Sequence, residues 1–204
     1  INNNEMFFYE IWDDFVFNKN ELDWSEDPYQ DKTWKYYFHS LRMVSFLMNA
    51  YELNGNITYL EGAQWFIESW IEHNPSPENQ ASTSAWDDHS TANRISTFIY
   101  FWDYYRNSEI CESEFANQFL TALNLHGEFT ANEDNYSWGN NHGIFQDRAL
   151  MQLSVLFPNF EGSSEWLETS ISRLSYKTET DVTSTGVHKE HSTWYHYEVL
   201  RLFM

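Results

Sequence analysis

Apolar positions recur at helical spacing through most of the chain, in blocks separated by short polar stretches. Residues 33–53 read as a strong helix, with Thr33 as its N-cap and Gly55 near its stop. A second helix is predicted over about 57–72, with Asn56 available to cap it. Residues 73–85 carry Pro75, Pro77, Ser and Asn, which is the chemistry of a loop. The pattern then predicts helices at about 87–106 and 112–125, and a longer loop rich in Asn, Glu and Gly over 127–140. Two more helices follow at about 142–157, stopped by Pro158, and at about 163–177. The stretch 180–187 holds Val182, Thr183, Thr185 and Val187 and reads as a short extended segment, after which the helical pattern resumes from 190. At the other end, residues 5–18 read as a short aromatic helix and 19–32 as an acidic loop containing Pro28.

A longer period is superimposed on this pattern. Trp34, Trp86, Trp138 and Trp194 each precede a His and then an Arg: His39 and Arg42, His89 and Arg94, His142 and Arg148, His196 and Arg201. The tryptophans are 52, 52 and 56 residues apart. That is too long for one helix and its turn, and it fits a pair of helices with their loops. The expected fold is therefore all-α: an incomplete α/α toroid of helical hairpins with a period of about 53 residues, occupying 1–204 as one domain. Each repeat returns the same face to the same place, so candidate chemistry belongs at the start of every second helix.

Composition narrows the possible partners. Thirty-one acidic against eleven basic residues give a net charge of −20, which argues against nucleic acid and against anionic membrane surfaces. No apolar run approaches the roughly 20 residues that span a bilayer. The single Cys111 allows no internal disulfide and lacks the basic surroundings of a thiol nucleophile. Aromatics make up 19% of the chain, enough both to fill a core and to leave some rings for stacking on sugars. The chain opens on Ile1, and residues 199–204 stop inside an apolar helical pattern, which reads as an excised piece of a longer protein.

Two segments concentrate candidate chemistry. Residues 138–143 (Trp-Gly-Asn-Asn-His-Gly) lie where a loop becomes a helix, with Asp147 and Arg148 just beyond. Free N–H groups and the positive dipole end of a helix, joined by Asn141 and His142, suit a carboxylate. The plainer account is an Asn cap beside a hydrogen-bonded His. Residues 186–197 (Gly-Val-His-Lys-Glu-His-Ser-Thr-Trp-Tyr-His-Tyr) hold Glu190, His191, Trp194, Tyr195 and His196. A tyrosine there can exchange protons if neighbouring cations lower its pKa from about 10; the plainer account is tyrosine rings packed in the core. The histidines match no zinc spacing, and neither metal nor cofactor is expected. His39 with Arg42 and His89 with Arg94 repeat the same positions in the earlier hairpins, and some of these arginines could face a shared anionic ligand, although Asp87 and Asp88 offer Arg94 an internal ion pair.

The residues Asn-Asn-His-Gly at 140–143, Trp166, the 186–196 segment and Leu-Arg-Leu-Phe at 200–203 resemble the heparinase II/III-like polysaccharide lyases. The resemblance covers roughly 33–204. It implies an α/α toroid normally followed by a β-sandwich domain, a periplasmic or secreted setting, and β-elimination on uronic-acid polysaccharides. It also implies that Asn141 and His142 neutralise the uronate carboxylate, and that Tyr195, with His196 beside it, handles protons. Arg94, His89, Arg148, Trp138, Glu190, His191 and Trp194 would line the path of an anionic polysaccharide, with a small basic cleft expected around Arg94, Arg148 and Arg201. Two other readings stay open on the residues alone: an α/α glycoside hydrolase using Asp87, Asp88 or Glu190, which needs two carboxylates across a cleft, and a non-catalytic glycan-binding or surface-polysaccharide assembly module.

Overall fold

The computed structural model describes residues 5–189 together with 192, 197, 200 and 201. It divides into two compact units, 1–123 and 124–204, with the boundary inside one long helix.

The first unit opens with a hairpin rather than the expected aromatic helix. Strand β1 (Glu5–Met6) pairs antiparallel with β2 (Phe15–Val16), Glu5 opposite Val16 and Met6 opposite Phe15. Burial alternates along it: Met6 and Phe8 point inward, Phe7 and Tyr9 outward. A period of two is the strand signature. It was hidden because nearly every position there is large and apolar.

Helix α1 (Lys32–His39) starts one residue earlier than predicted, and Asp31 caps it, not Thr33. The Asp31 carboxylate accepts from the amides of Thr33 at 2.7 Å and Trp34 at 3.2 Å. The expected single helix over 33–53 is broken. Leu41 adopts a left-handed conformation (φ 57°, ψ 44°), and α2 (Arg42–Asn54) begins after it. A left-handed L-residue costs roughly 1–2 kcal/mol. Leu41 is wholly buried, and full burial of a leucine contributes about 1.5–3 kcal/mol, which covers that cost. The break frees the carbonyls of His39 and Ser40. Both are taken by the next repeat: Arg94 Nη1 donates to His39 O at 2.7 Å, and Thr97 Oγ1 donates to Ser40 O at 3.3 Å.

Helix α2 ends at Gly55, and α3 (Ile57–His73) is capped by Asn56, both as predicted. The two pack together, and α1, α2 and α3 all contact α4 (Asp88–Tyr105). The loop between α3 and α4 is organised by buried Asn74. Its amide donates to Trp70 O, its side-chain oxygen accepts from the Ala81 amide, and its carbonyl accepts from Trp86 Nε1. Asp87 caps α4 through the Ser90 amide at 2.7 Å. The core of this unit is a chain of rings, with Trp24 and Trp34 on either side of Phe38 at 4.7 and 4.8 Å. Phe98 and Trp102 of α4 meet Phe119 of α5 (Ser113–Ala131). Helix α5 runs six residues beyond its expected end and carries the chain into the second unit.

The second unit pairs α6 (His142–Leu156) with α7 (Ser163–Asp181). A single 3-10 turn (Glu133–Asn135) precedes the loop into α6. In place of the extended segment expected over 180–187, α7 continues through Asp181 and the chain then makes a small turn closed by the bridge between Val182 and His188. Gly186 sits there at φ 81°, a conformation that L side chains rarely adopt.

Candidate functional site

The second unit carries the Asn-His segment. Its two asparagines have different tasks. Asn140 Oδ1 accepts from the His142 amide at 2.8 Å, which satisfies one of the open donors at the start of α6. Asn141 is in helical conformation (φ −69°, ψ −15°), and its side chain makes no capping bond to the helix. It is 8% exposed, and His142 beside it is half-buried. The Asn cap expected at this helix start is thus present, and Asn140 rather than Asn141 supplies it.

The loop that presents these residues rests on a buried polar network. Gln146 holds it from α6, accepting from the Ser137 amide at 2.9 Å and donating to Asn135 O at 2.8 Å. Gly143 is required by close approach. A Cβ there would lie 2.5 Å from Ser137 O and 2.8 Å from Tyr136 Oη. Tyr136 donates its hydroxyl to Asp147 Oδ2 at 2.6 Å. Asp147 is 0% exposed. Burial pushes its pKa up to about 7, although the Tyr136 hydroxyl, Arg173 and Lys177 all pull the other way. Burial, then the bond to Asp147, also raises the Tyr136 hydroxyl well above the ordinary tyrosine range.

Two cations from α7 enter this network. Arg173 donates to Thr130 O at 3.1 Å and to Ala131 O at 2.7 Å, tying down the end of α5. It also meets Glu133 at 3.0 Å, lies 3.9 Å from Asp147 Oδ1, and stacks over the Tyr136 ring at 4.2 Å. Lys177 donates to the carbonyls of Trp138 and Asn140 and pairs with Asp181 at 3.2 Å. Sequence reasoning passed over both cations. The available signal was their spacing: Arg173 and Lys177 share a helix face with the buried Trp166 and Ser170.

Trp138 is 47% exposed, the one tryptophan among the described residues to be exposed rather than buried or half-buried. It stands edge-on between Tyr136 at 4.5 Å and Tyr176 at 5.6 Å. Trp138 and Tyr176 line an open groove of about 440 Å³, with Glu133, Glu168, Thr169, Ser172 and Arg173. Arg148 is half-buried in the second turn of α6. The structure thus brings Trp138, Asn141 and His142 onto one braced loop.

In the first unit, the candidate residues His89 and Arg94 lie in the first two turns of α4. His89 is half-buried and its ring stacks on Tyr36 at 4.2 Å, nearly parallel. Arg94 does not face an open basic cleft. It is 0% exposed, with its guanidinium 3.7 Å from the centre of the Trp70 ring and donating to His39 O and Thr91 Oγ1. The reason is the helix break: a buried carbonyl needs a donor, and Arg94 supplies it. His39 is also interior, and burial, then the Arg94 charge, lowers its pKa to about 3. Glu190, His191, Trp194, Tyr195 and His196 lie outside the described residues. Among the described residues, no helix is long and apolar enough to cross a membrane.

Helical hairpins, with a polar, braced loop at the start of α6, place the protein in the α/α-toroid class. Comparison with known proteins carries this further. The family model described as Heparinase II/III N-terminus matches residues 3–204, and the chain belongs to that family. A heparin-sulfate lyase of Bacteroides thetaiotaomicron is 29% identical over 154 residues, which is 76% of this chain and 22% of that protein. The crystal structure of heparan sulfate lyase HepC from Pedobacter heparinus superposes with a TM-score of 0.82 at 19% identity, covering 98% of this chain and 31% of the other. The crystal structure of heparinase III gives 0.80 at 26% identity, covering 88% and 27%. The fold class read from the sequence is that of these structures, and the chain spans less than a third of the length of any of the three proteins.

Proposed function

We propose that this chain is the helical part of a polysaccharide lyase that cleaves uronic-acid glycans of the heparan sulfate class by β-elimination. The single observation that carries this reading is the division of labour at the Asn-His segment. Asn140 caps the helix, and the Asn141 side chain, left out of capping, stands beside His142 on a loop braced from below. Asn141 and His142 then bind the uronate carboxylate. Their donors stabilise the negative charge that grows on it as the adjacent carbon loses its proton. Tyr195 takes that proton, the glycosidic carbon–oxygen bond breaks as a carbon–carbon double bond forms, and Tyr195 or His196 returns a proton to the leaving oxygen. His89, Arg148, Glu190, His191 and Trp194 contact the flanking sugars, and Trp138 offers an open ring for stacking. The relatives named heparin-sulfate lyase support the substrate class. In this reading a β-sandwich domain completes the enzyme, which works in the periplasm or outside the cell.

The test uses the longest form of the protein with heparan sulfate, hyaluronan and alginate, following ultraviolet absorbance of the unsaturated uronate product. Tyr195→Phe is expected to lower turnover by about 10²–10⁴-fold, and Asn141→Ala by about 10²–10³-fold. Reducing ends without the chromophore would establish a hydrolase instead. A second reading, a glycan-binding module, draws on the groove between Trp138 and Tyr176. Saturable binding with no product from any substrate would establish it.

A further inference from the structure

The last turn of α7 touches both motif-bearing segments at once. On one side, the Lys177 ammonium donates to the carbonyls of Trp138 and Asn140, the two residues flanking Gly139 in the loop that leads to Asn141 and His142. On the other side, the Asp181 carbonyl accepts the Lys189 amide at 2.8 Å, and the Lys189 ammonium donates to Thr180 O. Lys189 directly precedes the segment that holds Tyr195 and His196 in sequence. Lys177 and Asp181 are themselves joined at 3.2 Å, one turn apart. From this we infer that the last turn of α7 is a shared anchor for the two segments, with Lys177 a positioning residue for Asn141 and His142. This rests on the lyase reading for its effect on turnover, but not for its effect on the loop.

The energetics favour a fixed loop over a merely supported one. Lys177 is 1% exposed. A buried ammonium is tolerated only while its donors are satisfied, and stripping them is costly. Here the satisfying groups are two peptide carbonyls of the loop itself, together with the Asp181 carboxylate. An excursion of residues 138–140 strips the ammonium of both carbonyls and leaves it Asp181 alone, so the loop is held by the cost of leaving. Trp138 and Asn140 offer the same carbonyl whatever their side chains, so the device leaves the loop free to carry Asn141 and His142. Displacing a catalytic group by about 1 Å can cost on the order of 10²-fold in rate.

The experiment compares Lys177→Met, Asp181→Asn and Leu153→Ala with the unaltered full-length protein. Leu153 is buried in α6. It serves as a control that weakens the unit without touching the loop bonds. Two readouts are taken on each: product formation with heparan sulfate, and amide hydrogen exchange over residues 137–142 and 186–189. Lys177→Met is expected to lower kcat/KM by about 10–100-fold and to speed exchange in the 137–142 loop while α6 stays protected. Asp181→Asn, which keeps the Lys177 bonds to the loop, is expected to give a smaller loss in the same direction. It carries the test if Lys177→Met does not fold. Leu153→Ala is expected to change stability without selective exchange in the loop. Unchanged loop exchange in Lys177→Met, activity within about twofold of the parent, or an equal loss in Leu153→Ala at matched stability would each overturn the assignment. If the unaltered protein forms no product on any uronate glycan, the lyase reading fails, and the exchange arm alone still decides whether the anchor exists.

Discussion

Asp147 lies beneath the loop that carries Asn141 and His142, with its carboxyl closed off from water and bonded to Tyr136. Its pKa rises from the ordinary 3.8 to about 7, with burial as the largest cause. Between those values the folded protein keeps a proton that the unfolded chain has released. Stability therefore falls as pH rises through that window, because the native state binds more protons than the unfolded one. Asp147→Asn cannot titrate. Urea unfolding of the two proteins from about pH 4 to pH 7 should show the parent losing stability relative to the variant as pH rises, and parallel curves would refute the assignment. None of this was visible in the sequence, where Asp147 stood only as a residue following the motif. Its partners are Tyr136, eleven residues back, and Arg173 on the next helix. Burial joins them, and burial at this site depends on how α6 and α7 pack. Arg94 taught the same lesson in reverse. Its place in the repeat suggested a ligand, and the structure turned it inward to a carbonyl that only the unforeseen helix break exposes.

Helix ends were legible where a local residue sets them. Asn56 caps α3, Gly55 ends α2, and α6 closes just before Pro158. The break between α1 and α2 was not, because no Gly or Pro occurs from 32 to 54. Leu41 takes up a left-handed conformation for the sake of its burial, a tertiary effect that overrides local preference. The start of α1 is a nearer miss. Thr33 and Asp31 are both capable caps, and only the bonds from Thr33 and Trp34 to the Asp31 carboxylate decide between them. Asp31→Ala is expected to cost about 1 kcal/mol in urea unfolding, whereas Thr33→Ala, inside the helix, should change it by no more than roughly 0.5 kcal/mol. The reverse ranking would return the cap to Thr33.

At the scale of the whole chain, the repeat length and the all-α class were readable because the hydrophobic period persists over five long helices. The charge was equally plain, and it has a kinetic consequence. With a net charge of −20, the molecule repels a polyanionic glycan at long range. Association of this chain with a heparan sulfate oligosaccharide is expected to speed up as salt rises from about 10 to 150 mM, where the Debye length falls to about 8 Å. Stopped-flow binding over that range measures it. A rate that slows with salt would show instead that a local basic field governs encounter.

The joint between the first two hairpins also bears on how such repeats can diverge. Arg94 and Thr97 complete a turn that the preceding repeat leaves open at His39 and Ser40. Neither half is whole by itself. A chimera that imports residues 32–54 from a relative with a continuous helix would take from the enclosed Arg94 its carbonyl acceptor at His39. One that replaces α4 alone would leave two interior carbonyls without donors. These two hairpins can be exchanged between relatives only as a matched set, so recombination within the family should preserve the pair even where it shuffles the rest.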